Sequence, residues 1–235
     1  LSVTTARPVA HNNSYFRIML SVRAFTFNAF EENTYVLFDE TRQAVIVDPG
    51  CYDRPERAQL DGFIAEHNLK VVALVNTHGH IDHVLGNAHV KEKYNVPFFA
   101  HPADESTLRS VKVYAPLYGF QHYSEVLPDQ KLVEGTQFRF GNQVMNVLFL
   151  PGHAPGHIGL HHPGQQVLVA GDVLFQRSIG RTDLPGGDLD TLLHSIRQKL
   201  FVLPDETVVY PGHGPTTTIG EEKVHNPFCA LAPNT

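Results

Sequence analysis

Four apolar stretches of this chain each run out into a histidine or an aspartate. That repetition restricts the fold more than any other feature. Val71-Val72-Ala73-Leu74-Val75 leads into Thr77-His78-Gly79-His80-Ile81-Asp82-His83. Leu148-Phe149-Leu150-Pro151-Gly152 ends on His153, and Val167-Leu168-Val169-Ala170-Gly171 ends on Asp172. Val208-Val209-Tyr210-Pro211-Gly212 ends on His213. Short β-branched runs bounded by glycine and proline read as buried strands. The adjoining glycines let the backbone turn sharply and approach closely. A single turn histidine or capping aspartate is ordinary. Four at equivalent strand ends require a fold that gathers those ends at one place.

Imidazole and carboxylate are the preferred ligands of zinc and its first-row neighbours. The run from His78 to His83 carries three histidines and an aspartate within six residues. It is the strongest metal-binding signal in the chain, against the alternative of a histidine-rich surface turn.

The remaining pattern predicts strands over residues 23–28, 34–38 and 44–48, and a proline-started amphipathic helix over 55–68. A strand is expected over 71–76, a helix over 84–94 and a short strand over 96–100. Strands follow over 137–140, 144–151, 159–162 and 167–171, then a helix over 189–201 and a last strand over 207–210. Residues 101–135 are the least regular. They read equally as a partly helical excursion over the metal site or as a surface excursion with its own small core. The sum is an α/β chain with two sheets packed face to face and flanked by helices. Residues 1–18 are polar and irregular and read as a disordered or non-native lead-in. One domain is expected over 19–235.

Composition narrows the partners. Net charge is −6, from 18 basic and 24 acidic residues. This argues against a general nucleic-acid binder and against an anionic membrane partner. No stretch approaches the roughly 18 apolar residues that span a bilayer. With no secretion-type h-region and only Cys51 and Cys229, a cytoplasmic protein is expected. Cys51 reads as a small buried side chain rather than a ligand.

Asp48, in Ile46-Val47-Asp48-Pro49-Gly50, completes a wider pattern with the His-x-His-x-Asp-His run, His153, Asp172 and His213. In that order, across residues 22–228, the chain resembles the metallo-β-lactamase-fold hydrolases. The presence of both Asp82 and Asp172 is similar to the glyoxalase II branch, the hydroxyacylglutathione hydrolases. Gly171-Asp172-Val173-Leu174-Phe175, Ser178-Ile179-Gly180-Arg181-Thr182-Asp183 and Pro211-Gly212-His213-Gly214-Pro215 resemble its short bacterial members.

The resemblance implies a four-layer αβ/βα sandwich. It implies two divalent ions, zinc first, with iron or manganese as alternatives. His78, His80 and His153 would hold one ion, Asp82, His83 and His213 the other, and Asp172 would bridge them. Asp82 and Asp172 would be the catalytic carboxylates, and hydroxide formed at the metals would attack the carbonyl of an acyl thioester, glutathione-derived. Asp48 would orient a ligand histidine; His157, in Pro155-Gly156-His157, reads as a structural or supporting residue rather than a ligand. Arg181 falls where the longer enzymes carry a glutathione-binding lysine, while Asp183 replaces their tyrosine. Arg181 is therefore expected either to bind substrate or to pair with Asp183 or Asp188. Three other readings stay open: a glutathione persulfide dioxygenase with one iron on His78, His153 and Asp172, an antibiotic-hydrolysing β-lactamase, and a non-catalytic metal-binding module.

Overall fold

Glu32–Phe38 and Gln43–Val47 are buried along nearly their whole length. A strand with both faces buried belongs inside a layered structure. The computed structural model describes residues 19–231, and the expectation for residues 1–18 falls outside them. The first sheet holds β1 (Ser21–Phe27), β2 (Glu32–Phe38), β3 (Gln43–Val47), β4 (Lys70–Val75), β5 (Phe98–Ala100) and β6 (Gln130–Lys131), in sequence order. The second holds β7 (Gln137–Phe140), β8 (Gln143–Phe149), β9 (Ile158–His162), β10 (Val167–Gly171), β13 (Val208–Pro211) and β14 (Thr217–Thr218), ordered 14-13-10-9-8-7. A small hairpin, β11 (Leu174–Phe175) with β12 (Ser178–Ile179), stands apart.

Three layers of core follow. Leu37, Val45, Val47 and Val75 meet Met145, Val147, Leu160 and Val169 between the sheets. The outer face of the first sheet buries against α1 (Arg54–Glu66), α3 (Asn87–Tyr94) and α4 (Glu105–Tyr114), through Leu60, Ile64, Val90, Leu108 and Val111. The outer face of the second buries against α5 (Leu189–Ser195) and α6 (Ile219–His225), through Leu192 and Ile219. This is the four-layer αβ/βα sandwich that the sequence implied. No helix among the described residues is long and apolar enough to cross a membrane.

Local chemistry sets the boundaries. Asp53 caps α1 by accepting from the Glu56 N–H, Glu56 reaches back to the cap, and Pro55 occupies the first turn. The helix expected over 84–94 is found as α3, starting only at Asn87. The short α2 (Ile81–Val84) ends before Gly86, whose N–H donates to the Pro49 carbonyl at 2.7 Å, and α3 then starts afresh. The helix expected over 189–201 changes after Ser195 into a wider π turn over Ile196–Leu200. Residues 101–135 follow the first reading, a partly helical excursion beside the site, and share a neighbouring core rather than forming their own. Leu108, Val111, Ala115 and Phe120 join the first outer core, while Ser106, Thr107, Ser110 and Tyr114 face a cleft. The helix α6 and the strands β6, β11, β12 and β14 were not legible in the pattern; each strand has only two residues.

Candidate metal centre

The four strand ends converge. β4 delivers the run from His78 to His83, β8 leads to His153, β10 to Asp172 and β13 to His213. Two groups of three side chains result: His78, His80 and His153, and Asp82, His83 and His213. In each group one ligand atom per residue lies within 4.8 Å of the others. Asp172 stands between them. Its Oδ2 is 3.5 Å from His153 Nε2 and 3.4 Å from His213 Nε2, and its Oδ1 is 3.5 Å from His83 Nε2.

The outer nitrogens of four of the five histidines are tied down, which fixes where the inner ones point. His153 Nδ1 donates to the Arg181 carbonyl at 2.8 Å, and His213 Nδ1 donates to the Phe30 carbonyl at 3.0 Å. His83 Nδ1 donates to Asp48 Oδ2 at 3.2 Å. The Thr77 hydroxyl donates to Asp48, so its oxygen accepts from His78 Nδ1 at 3.1 Å. His78 Nε2 and His153 Nε2 then face each other with lone pairs, 3.3 Å apart. Two lone pairs so placed repel unless a cation lies between them. His83 Nε2 and Asp172 Oδ1 are buried and have no hydrogen-bond partner. Buried polar atoms are rarely left so. The donor set therefore fits metal ions of the zinc, iron and manganese class.

The electrostatics agree. Burial, then the neighbouring histidine charges, keep His78 well below its ordinary pKa. Burial lowers His80 to about 3. Burial also opposes charge on His83, but Asp82 and Asp172 outweigh it and hold this imidazole well above its usual range. The same carboxylates overcome burial at His213 and raise it to about 10. His78 and His80 thus offer neutral imidazoles, while the carboxylates of the other half face protonated His83 and His213, whose protons a metal would displace.

Asp48 lies behind the centre in the left-handed region, at φ 49°. It accepts from the Thr77 N–H at 2.7 Å and the Asn76 side chain at 3.3 Å, besides His83. Asp48 also lies within ligand distance of His78 and His83, but these bonds occupy both its oxygens. His157 joins none of the three-residue groups. It is fully buried, stacks on His78 at 4.8 Å, and accepts the Asp172 N–H at its Nε2. Arg181 lines the cleft and pairs through two 2.7 Å bonds with Asp183. Asp188 instead caps α5 by accepting from the Thr191 N–H. Cys51 is buried under Gly86, and burial pushes its thiol up to about 12.

Three contributing residues escaped the sequence reading. Asp104 is buried and accepts from the N–H groups of Gly79 and Gly156, tying the loops that carry His80 and His153. Its signal was present, since His101-Pro102-Ala103-Asp104 follows β5 as the other ligand turns follow their strands. Glu32 is fully buried, 3.8 Å from His83 Nδ1, and burial holds it well above the usual carboxylate range. Asn33 donates to the carbonyls of Pro211 and Gly214, fixing the turn around His213. Glu32 and Asn33 open β2 ahead of its apolar part and gave no spacing to notice.

The centre opens into a cleft of about 950 Å³. Its other walls come from Phe30, residues 106–118 and the segment from Phe175 to Gly186.

Comparison with known proteins agrees with this architecture. Residues 28–213 match the family model described as the metallo-beta-lactamase superfamily. The hydroxyacylglutathione hydrolase GloC of Haemophilus influenzae is 37% identical over 211 residues, covering 89% of this chain and 98% of that protein. Among solved structures, BLEG-1, a B3 metallo-beta-lactamase, superposes with a TM-score of 0.82 at 34% identity, over 90% of this chain and all of that one. TTHA1623, solved in a di-iron-bound form, gives 0.79 at 37%, over 88% and 100%. ETHE1 from Myxococcus xanthus gives 0.75 at 30%, over 89% and 84%.

Proposed function

Because the chain belongs to the metallo-beta-lactamase superfamily, we propose that it is a thioester hydrolase working with two divalent ions on hydroxyacylglutathione-type substrates. One observation carries the reading: two three-residue groups share Asp172 at the floor of an open cleft. The likeness to GloC supports the thioester. Zinc is the first candidate ion, and the di-iron form of TTHA1623 supports iron equally.

His78, His80 and His153 would hold one ion, Asp82, His83 and His213 the other, with Asp172 common to both. Ions bound there supply Lewis acidity and lower the pKa of water from 15.7 toward about 7. The chain's own contribution is placement. Asp48, Thr77 and the carbonyls of Phe30 and Arg181 set the tautomers of His83, His78, His213 and His153. Asp104 keeps the turns of His80 and His153 at a fixed separation. The Asp82 side chain is 12% exposed. Asp172, 10% exposed, lines the same cleft, and among the described residues these are the two carboxylates that face water there. Rigid supports of this kind keep the reacting groups from reorganising during the reaction.

The test is hydrolysis of S-lactoylglutathione by zinc- or iron-loaded protein, followed as thiol release. Robust turnover is expected. Its absence from a fully metallated sample contradicts the proposal. A second reading, a persulfide dioxygenase with one iron, is favoured by the mutual approach of His78, His153 and Asp172. Oxygen uptake on glutathione persulfide, without thioester turnover, would select it. The likeness to BLEG-1 makes a carbapenem the necessary control substrate.

A further inference from the structure

The cleft beside the metal centre is apolar and aromatic on one side and nearly free of cations. The wall begins at the centre itself. Phe175 packs edge-on against His213 at 6.1 Å, and the Phe30 carbonyl holds that same histidine. From Phe30 the wall continues to Tyr118, with ring centroids 6.0 Å apart, and from Tyr118 to Tyr114 at 5.9 Å. Leu117 and Tyr118 line the cleft yet are 85% and 59% exposed. Large apolar groups left open beside a reaction centre mark a surface that a ligand covers.

The charges point the same way. Among the described residues lining the cleft, outside the histidines of the centre, Arg181 is the one cation. Its guanidinium is already paired in bidentate fashion with Asp183. That pair is exposed and carries no net charge. A glutathione arm brings two carboxylates and one ammonium group. It finds no lysine and no unpaired arginine among the described residues of this cleft.

Resting on the thioesterase reading above, we infer that the substrate is chosen by an apolar, aromatic-sized arm laid on the Phe30, Tyr114, Leu117 and Tyr118 wall, and that the charges of the thiol contribute little. The arm on the far side of the reacting sulfur from the thiol backbone is the acyl group. The substrate class is thus an arylacyl or branched apolar acyl thioester. Apolar pockets discriminate by about 10- to 200-fold for modest changes in the buried group.

Two measurements test this. The first is kcat/KM on four thioesters of the metallated protein: lactoyl and mandeloyl, each on glutathione and on the uncharged thiol N-acetylcysteamine. Mandeloyl should exceed lactoyl by about tenfold or more. Each acyl group should give values within about threefold on the two thiols. In Tyr118→Ala and Leu117→Ala, both rim positions where refolding is not at stake, the mandeloyl-to-lactoyl ratio should fall toward one. The second is calorimetric binding of S-benzylglutathione against S-methylglutathione, neither of which is hydrolysed. The benzyl compound should bind about tenfold more tightly. Equal binding, or a strong glutathione preference with no acyl preference, overturns the inference while leaving the thioesterase reading intact. Tighter benzyl binding with no turnover of any thioester overturns the thioesterase reading and retains the apolar wall.

Discussion

At the scale of single residues, Asp172 would hold the ions of the proposed centre and Asp48 would aim a ligand histidine. Asp172 lies within reach of His83, His153 and His213. Replacing it with alanine removes a group common to both halves. Asp172→Ala is expected to lose metal and more than about 100-fold in activity, beyond the 10- to 100-fold typical of supporting partners. A variant that keeps two ions and full turnover would contradict the shared role. Asp48→Asn keeps the shape but weakens the acceptor for His83 Nδ1. Its metal affinity, titrated against a chromophoric chelator, should fall about 10- to 100-fold with the fold unchanged by circular dichroism. Most of the centre was legible because its residues crowd into short runs or end strands. Asp104 and Glu32 were harder because their significance is spatial. Asp104 reaches Gly79 and Gly156, partners 25 and 52 residues away along the chain, and no local spacing records that.

At the scale of elements, the turn between α2 and α3 shows how a glycine can matter through space. A Cβ on Gly86 would lie 2.6 Å from Cys51 Sγ and 2.8 Å from the Pro49 carbonyl. Gly86→Ala should therefore destabilise the protein by about 1–3 kcal/mol. A urea midpoint equal to the parent's would show that the Pro49 loop gives way freely. Gly212 is tighter still, with its added Cβ 2.0 Å from Asp172 Oδ1. At Gly86 the backbone also explains why the helix expected over 84–94 starts only at Asn87. Apolar spacing continues through the break, but the Gly86 N–H is spent on Pro49. Long strands were readable because alternation or continuous burial marks them. Two-residue strands such as β6 and β14 carry too few side chains to show a period, and only their partners define them.

At the scale of the whole molecule, the layered architecture was legible from strand order and composition, and the charge of the centre gives it a pH signature. Without metal, His213 has its pKa raised to about 10 by Asp172 and Asp82. A group raised on folding stabilises fully below its unfolded pKa, about 6.5, and loses that contribution as pH climbs through its folded value. The metal-free protein should therefore lose Tm between about pH 6.5 and 10, and His213→Ala should flatten that loss. Metal binding at pH 7 must expel the protons of His83 and His213. Calorimetry in two buffers of different ionisation enthalpy should reveal proton release; identical heats would contradict it. Chelation should lower Tm, since ions that bind only the folded chain stabilise it by mass action. The clasp of Asn33 and Tyr35 on Pro211 spans residues 178 and 176 positions apart. During synthesis the first three-histidine group is complete once His153 emerges, whereas the second waits for His213 and for its hairpin to be caught from the other end of the chain. The two halves of the centre are thus born in sequence. A nascent chain stalled between residues 153 and 213 would carry one set of donors fully made and the other still missing an arm.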